Sequence, residues 1–248
     1  GKVTQRMRIN ILVRRDNSLI ISLRKTVEAL TELVITAAKM LIPALADALA
    51  AAKAGDTIFL LDDVVVSGDV AIKVPVTIEG VEKANGKLPT MTYDTAVAGN
   101  NFAAFSVNAT STLKNFKMVL MSSRQTGAIY VRENATLTLD GIDMTVGAHI
   151  AHGTPKCVIR LYKGNANLEI INSSVVYTNE YERSVPFIMF DYDFSDRYVL
   201  IENSTIDTTA ANGKVGIVGG DENVDNFVII KNSVLTPSEG ATLFTNMN

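Results

Sequence analysis

Ile201-Glu202-Asn203-Ser204 is one instance of a phrase that returns along the chain as Leu113-Lys114-Asn115-Phe116, Leu139-Asp140-Gly141-Ile142, Ile171-Asn172-Ser173 and Ile230-Lys231-Asn232-Ser233. The markers Asn115, Gly141, Asn172, Asn203 and Asn232 are 26, 31, 31 and 29 positions apart. Self-similarity at this period signals a solenoid, in which each unit is too small to bury its own apolar face and stacks on its neighbours instead. Between markers the sequence parses into three short alternating strands. One unit reads Ala128 to Arg132, Ala135 to Leu139 and Ile142 to Val146; the next reads Cys157 to Tyr162, Asn167 to Ile171 and Ser174 to Thr178. Period-two alternation sends every second side chain into the coil.

The rest of the composition fits a solenoid and excludes other classes. With 248 residues and 47% hydrophobic content, the chain can bury a full core as one elongated domain. Its 23 basic and 26 acidic residues nearly balance, so no basic footprint for nucleic acid is present. Cys157 is the only cysteine, which excludes an internal disulfide and reads as a small buried apolar residue at a strand start. No charged leader followed by an apolar stretch opens the sequence, but Gly1 in place of Met suggests an engineered or processed terminus, so this says little about localisation.

Residues 23–53 carry Leu, Ala, Val, Lys and Glu at helical spacing, whereas everything after Gly55 is rich in Val, Ile, Thr and Asn. A helical cap followed by strands is expected, with residues 1–54 as an N-terminal strand and cap and 55–248 as the coil. Lys39, Asp47 and Lys53 interrupt the apolar stretch and Pro43 breaks it, so it reads as a buried amphipathic pair and not as a membrane span. Pro43 is placed in the first turn of the second helix, Ala44 to Ala52, where its missing donor costs nothing. Upstream, Arg8 to Val13 alternates loosely before a turn at Arg14 to Asn17, and its role is open.

The junction Leu45-Ala46-Asp47-Ala48-Leu49-Ala50-Ala51-Ala52-Lys53-Ala54-Gly55-Asp56-Thr57-Ile58-Phe59-Leu60, followed by Ile72 to Gly80, resembles the entry to the pectate-lyase-like parallel β-helix superfamily. There a short helix plugs the open end of the coil and runs through an Ala-Gly-Asp turn into the first strand. The resemblance runs from Leu45 to the C-terminus and implies an all-β solenoid: a right-handed parallel β-helix of about six to seven coils with an N-terminal α-helical cap. It also implies a tight turn between second and third strands with a residue near the left-handed region. Asn and Gly tolerate that geometry, which accounts for Gly141 in the marker column. These asparagines are therefore scaffold.

Recognition is expected on the other side of the coil, where the first strands are flanked by the most variable loops. In the resembled family this face forms the saccharide cleft. Ile159 and Phe190 each lie 13 positions before their markers and are expected to point inward. That count sets Tyr130, Arg160 and Asp191 in one outward column beside Arg132, Tyr162 and Asp193. Aromatic faces with Arg and Asp suit sugar rings and their hydroxyls or uronate carboxylates. The competing reading is a solvated face whose charges pair across rungs.

No cofactor is expected. Asp191, Asp193 and Asp196 are close enough in sequence to collect a calcium ion, but they lack the spacing and glycine of a calcium loop. His149 and His152 sit in a loop near Lys156 without an evident partner. The resembled lyases' histidine-bearing strand motifs and Arg-x-Pro-x-x-Arg segment are missing, as is the Asn-Thr-Asp, Asp-Asp, His-Gly and Arg-x-Lys series of the polygalacturonase type. The expected function is therefore a non-catalytic, secreted, periplasmic or cell-surface β-helix that binds a polysaccharide or serves as an adhesin-like module. The alternative is a polysaccharide lyase or glycoside hydrolase acting on uronate-containing glycan at the same face.

Overall fold

Most strands of this chain alternate in burial because the coil has an inside and an outside and successive side chains must choose opposite sides. The computed structural model describes residues 11–14, 41–66, 70–94, 105–121, 128–147, 157–220 and 224–246. It opens with strand β1 (Ile11–Arg14) and helix α1 (Leu41–Ala51), then coils through β2 (Asp56–Leu60), β3 (Val64–Val66), β4 (Val70–Ile72), β5 (Val76–Gly80), β6 (Thr90–Asp94) and β7 (Phe105–Val107). The middle coils are β8 (Ser111–Lys114), β9 (Lys117–Met121), β10 (Ile129–Val131), β11 (Thr136–Asp140), β12 (Asp143–Val146), β13 (Ile159–Tyr162), β14 (Asn167–Ile171) and β15 (Ser174–Tyr177). The chain continues through β16 (Ile188–Asp191), β17 (Tyr198–Glu202), β18 (Thr205–Asp207), β19 (Val218–Gly219), β20 (Phe227–Lys231), β21 (Val234–Thr236) and β22 (Phe244–Thr245).

Among the described residues every third strand joins the same sheet. One sheet runs β4-β7-β10-β13-β16-β19-β22, a second β1-β2-β5-β8-β11-β14-β17-β20 and a third β3-β6-β9-β12-β15-β18-β21. All pairings are parallel except β1 with β2, so the molecule is a parallel β-solenoid, as the marker period predicts. Inside it, Ile129, Ile159, Ile188, Leu137, Leu168, Val199 and Ile201 are completely buried.

The N-terminal end is closed by two devices. Helix α1 places buried Leu45 and Leu49 against the coil and lies over β3 and β4. It begins at Leu41, slightly before the expected Ala44, and Pro43 still falls in its first turn. The loosely alternating upstream segment acquires a role: β1 pairs antiparallel with β2, Ile11 opposite Leu60, and covers an otherwise open strand edge. At the other end the inward columns stand open. Ile230 is 42% exposed, whereas Ile201, its partner in register, is 0% exposed. No described helix is long and apolar enough to cross a membrane.

Each marker has the left-handed backbone its residue type implies: φ is 55° at Asn115, 65° at Gly141, and 50°, 50° and 47° at Asn172, Asn203 and Asn232. Asn203 Nδ2 donates to Asn172 Oδ1 at 3.4 Å, and Asn232 repeats the bond to Asn203. Gly141 interrupts this ladder, so Asn172 donates to Asp140 Oδ1 instead, at 3.0 Å. A second ladder runs beside it. The N–H groups of Ile142, Ser173 and Ser204 donate to the hydroxyls of Ser173, Ser204 and Ser233, and each hydroxyl donates to a strand carbonyl two residues back.

Gly80 shares this column with Asn115, and a Cβ there would stand 2.1 Å from Asn115 O and 2.8 Å from Phe116 Cβ. Only glycine lets the two coils approach so closely. Gly80→Ala is therefore expected to destabilise by about 3 kcal/mol or more, because backbone must move. Asn203→Ala should cost about 1–2 kcal/mol through strain and a lost ladder bond, and Asn203→Gly clearly less than that. Equilibrium denaturation of the three variants checks both the size and the order.

Candidate functional site

Tyr130 lies between Ile129 and Val131, both fully buried inside the coil, so its ring projects outward from β10. The parallel ladder sets Tyr130 beside Arg160 and Arg160 beside Met189; the adjacent outward position pairs Tyr162 with Asp191. Arg132, one residue past β10, reaches over Tyr130 with its guanidinium carbon 4.1 Å from the ring centre. The expected columns thus need correction. Ile159 and Phe190 both point inward, but Ile159 pairs with Ile188 and Phe190 with Leu161. Asp191 moves into the column of Tyr162, and Asp193 leaves the grid for an exposed position beyond the strand.

The slip of two has a local cause in the corner between first and second strands. Four residues separate β13 from β14, and six separate β16 from β17. Counting back from the marker across the longer corner displaces every residue before it. All three corners nevertheless end alike, with Asn134, Asn165 and Asp196 in the left-handed region at φ of 63°, 56° and 64°. The next residue enters the coil. In the first two it is Ala135 and Ala166, and in the third it is Arg197, also 0% exposed.

Arg197 serves the longer corner with its entire fork. Nη1 donates to Leu161 O at 3.0 Å and Asp191 O at 2.6 Å, Nη2 to Tyr192 O at 2.8 Å, and Nε to Asn226 Oδ1 at 3.2 Å. These bonds tie the corner to strand β13 and to the next coil. Burial pulls its pKa down to about 10, against the opposing pull of Asp191 and Asp193. The corner it holds includes Tyr192 at φ 63°, a conformation that costs an aromatic residue about 1–2 kcal/mol.

Around this corner the outward side chains pack into one cluster. Tyr130 and Tyr162 meet edge to face with ring centres 5.0 Å apart, and Tyr162 meets Tyr192 in the same way at 5.1 Å. Arg160 threads between the three rings and forms a hydrogen-bonded ion pair with Asp191. Burial alone would lower the Arg160 pKa, but the bond to Asp191 and its charge outweigh this and raise it. Burial likewise pushes the Tyr130 phenol well above its ordinary value, so it stays protonated. Tyr130, Arg160 and Asp191 are at most 5% exposed although they point away from the coil, which makes them a packed platform.

The accessible chemistry therefore falls to their neighbours. Arg132 and Tyr162 are half-buried, and Lys163 places its ammonium 5.0 Å from the Tyr162 ring centre. With Arg160 neutralised by Asp191, the rim of the platform carries the positive charges of Arg132 and Lys163. Lys163, Tyr192 and Arg197 were not legible as site residues. The one available signal was Arg197 occupying a column that otherwise holds alanine.

Other expected groups do not join the cluster. Asp193 and Asp196 are exposed on the long corner, and among the described residues no three His, Cys, Asp or Glu side chains gather as a metal site. His149, His152 and Lys156 lie outside the described residues. Comparison of the chain with protein-family models, with curated proteins and with solved structures returns no match.

Removing one member of the buried pair strands the other charge. Arg160→Ala should lower stability by about 3–5 kcal/mol, whereas Arg160→Met combined with Asp191→Leu should recover most of that loss. A chemical denaturation series on the single and double variants measures the difference.

Proposed function

We propose that this protein is a non-catalytic β-solenoid that binds an acidic polysaccharide on the face carrying Tyr130, Arg132, Arg160, Tyr162 and Asp191. The observation behind this reading is the tyrosine platform with two rim cations, Arg132 and Lys163, poised over its rings. Tyrosine rings offer apolar area to the C–H face of a sugar and a hydroxyl to its edge. Arg132 is geometrically suited to a carboxylate or sulfate, because its fork can donate two parallel bonds.

The reading favours the pectate-lyase-like resemblance, since a helix covers the N-terminal end of the coil and the expected saccharide face holds the aromatic cluster. A secreted, periplasmic or cell-surface location and an adhesin-like role follow from that resemblance. Catalysis is disfavoured by the chemistry of the platform: Asp191 is committed to Arg160, and the Tyr130 phenol is held protonated. A lyase needs a free base beside the sugar and a hydrolase needs two available carboxylates.

Binding should be tested at the accessible residues, because Arg160→Ala confounds affinity with stability. Titration calorimetry with uronate oligosaccharides is expected to show about tenfold weaker binding for Tyr162→Ala and for Arg132→Ala, the latter loss shrinking as salt rises. Unchanged affinity in both variants removes the platform from the reading. Unsaturated products or new reducing ends released from a glycan panel, with or without calcium, would replace binding by catalysis.

A further inference from the structure

The long corner 192–196 extends the aromatic surface of the platform. Tyr192 and Phe194 are 48% and 40% exposed, whereas Tyr130 at the centre of the platform is 3% exposed. Tyr192 adjoins the platform through its edge contact with Tyr162. Phe194 folds back toward the preceding coil, where an added Cβ at Gly164 would stand 3.5 Å from Phe194 Cδ1. The corner is tightly held: the Phe194 N–H donates to Tyr192 O and the Asp196 N–H donates to Asp225 O in the next coil. Arg197 grips Tyr192 O from within.

A strained, firmly anchored segment that exposes aromatic rings does nothing for the core, which shorter corners closed by Ala135 and Ala166 serve equally well. Asp193, Ser195 and Asp196, on the same corner, are also exposed. Apolar surface bordered by carboxylate and hydroxyl acceptors suits a ring rich in hydroxyl donors and repels a uronate. Arg132 and Lys163 on the platform have the opposite preference.

We infer that the corner 192–196 is a second sugar-binding ledge for a neutral hexose, stacked on Tyr192 and Phe194, next to an acidic sugar on the platform. Arg197 is its positioning residue. The ligand is then a heteroglycan in which acidic and neutral residues are neighbours. This inference rests on the saccharide reading of the platform and extends it by one subsite.

The test compares an oligosaccharide alternating hexuronate and neutral hexose with an all-hexuronate oligomer of equal length, by titration calorimetry on the full chain. The alternating ligand should bind at least tenfold more tightly. Phe194→Ser should reduce that preference to threefold or less while leaving affinity for the all-hexuronate ligand unchanged, whereas Tyr192→Gly, which also removes a ring packed on Tyr162, should weaken both ligands. Arg197→Lys should reduce the preference and should also speed amide hydrogen exchange at 192–196 at least tenfold, with the Ile129–Val131 strand unaffected. If that variant fails to fold, Asn226→Ala removes one anchor of the same fork and should show a weaker form of both changes. Equal affinity of the wild type for the two ligands overturns the ledge and leaves the platform standing. No affinity for either overturns the platform reading and the ledge with it. A preference that survives Phe194→Ser also overturns the ledge.

Discussion

From Asn115 to Asn232 the molecule depends on a sharp reversal made by one residue per coil in the left-handed region. A strand that ends at Asn172 or Asn203 with φ near 50° turns at once into the next strand, with no loop to absorb error. Left-handed backbone excludes most side chains by contact between Cβ and the carbonyl, so the column accepts asparagine or glycine. Because the coils from Asn115 to Asn232 turn at the same point, successive second strands lie in register, and register keeps Leu137, Leu168 and Val199 facing the interior together. Two side-chain ladders, of amides and of serine hydroxyls, then satisfy turn groups along the stack.

That rigid column frees the opposite side of the coil to vary. Corners between first and second strands can lengthen without disturbing the core, provided they finish with a left-handed residue and then an inward one. Asn134–Ala135, Asn165–Ala166 and Asp196–Arg197 all obey this rule. The third case shows how a larger corner is accommodated. A buried guanidinium donates to the carbonyls of Leu161, Asp191 and Tyr192 and so ties the enlarged loop to the coil, at the expense of desolvating a cation.

Much of the fold could be read directly. Alternation located β11, β12, β14 and β15 to within about a residue, and the Asn phrase located every marker turn. The lateral face was also legible, since Tyr130, Arg160, Tyr162 and Asp191 do converge there. Their order was not. Counting from Asn203 assumed equal corners, and the two additional residues before Arg197 shifted Asp191 from the column of Arg160 to that of Tyr162. The serine ladder was hidden because Phe116 and Ile142 occupy the same column in earlier coils. The pairing of β1 with β2 was hidden because a single short strand carries no sign of its partner.

By itself the sequence determined the period, the strand alternation and the left-handed turns, since these depend on residue types and spacings within about thirty positions. Tertiary structure alone decided which outward side chains touch and which remain open to solvent. Arg160 appeared as an exposed cation and is a buried partner of Asp191; Arg132 appeared as its equal and remains accessible. The physical reason is that local alternation says only inside or outside, whereas contact between coils depends on corner lengths some thirty residues apart. It depends equally on a buried arginine whose partners belong to several coils.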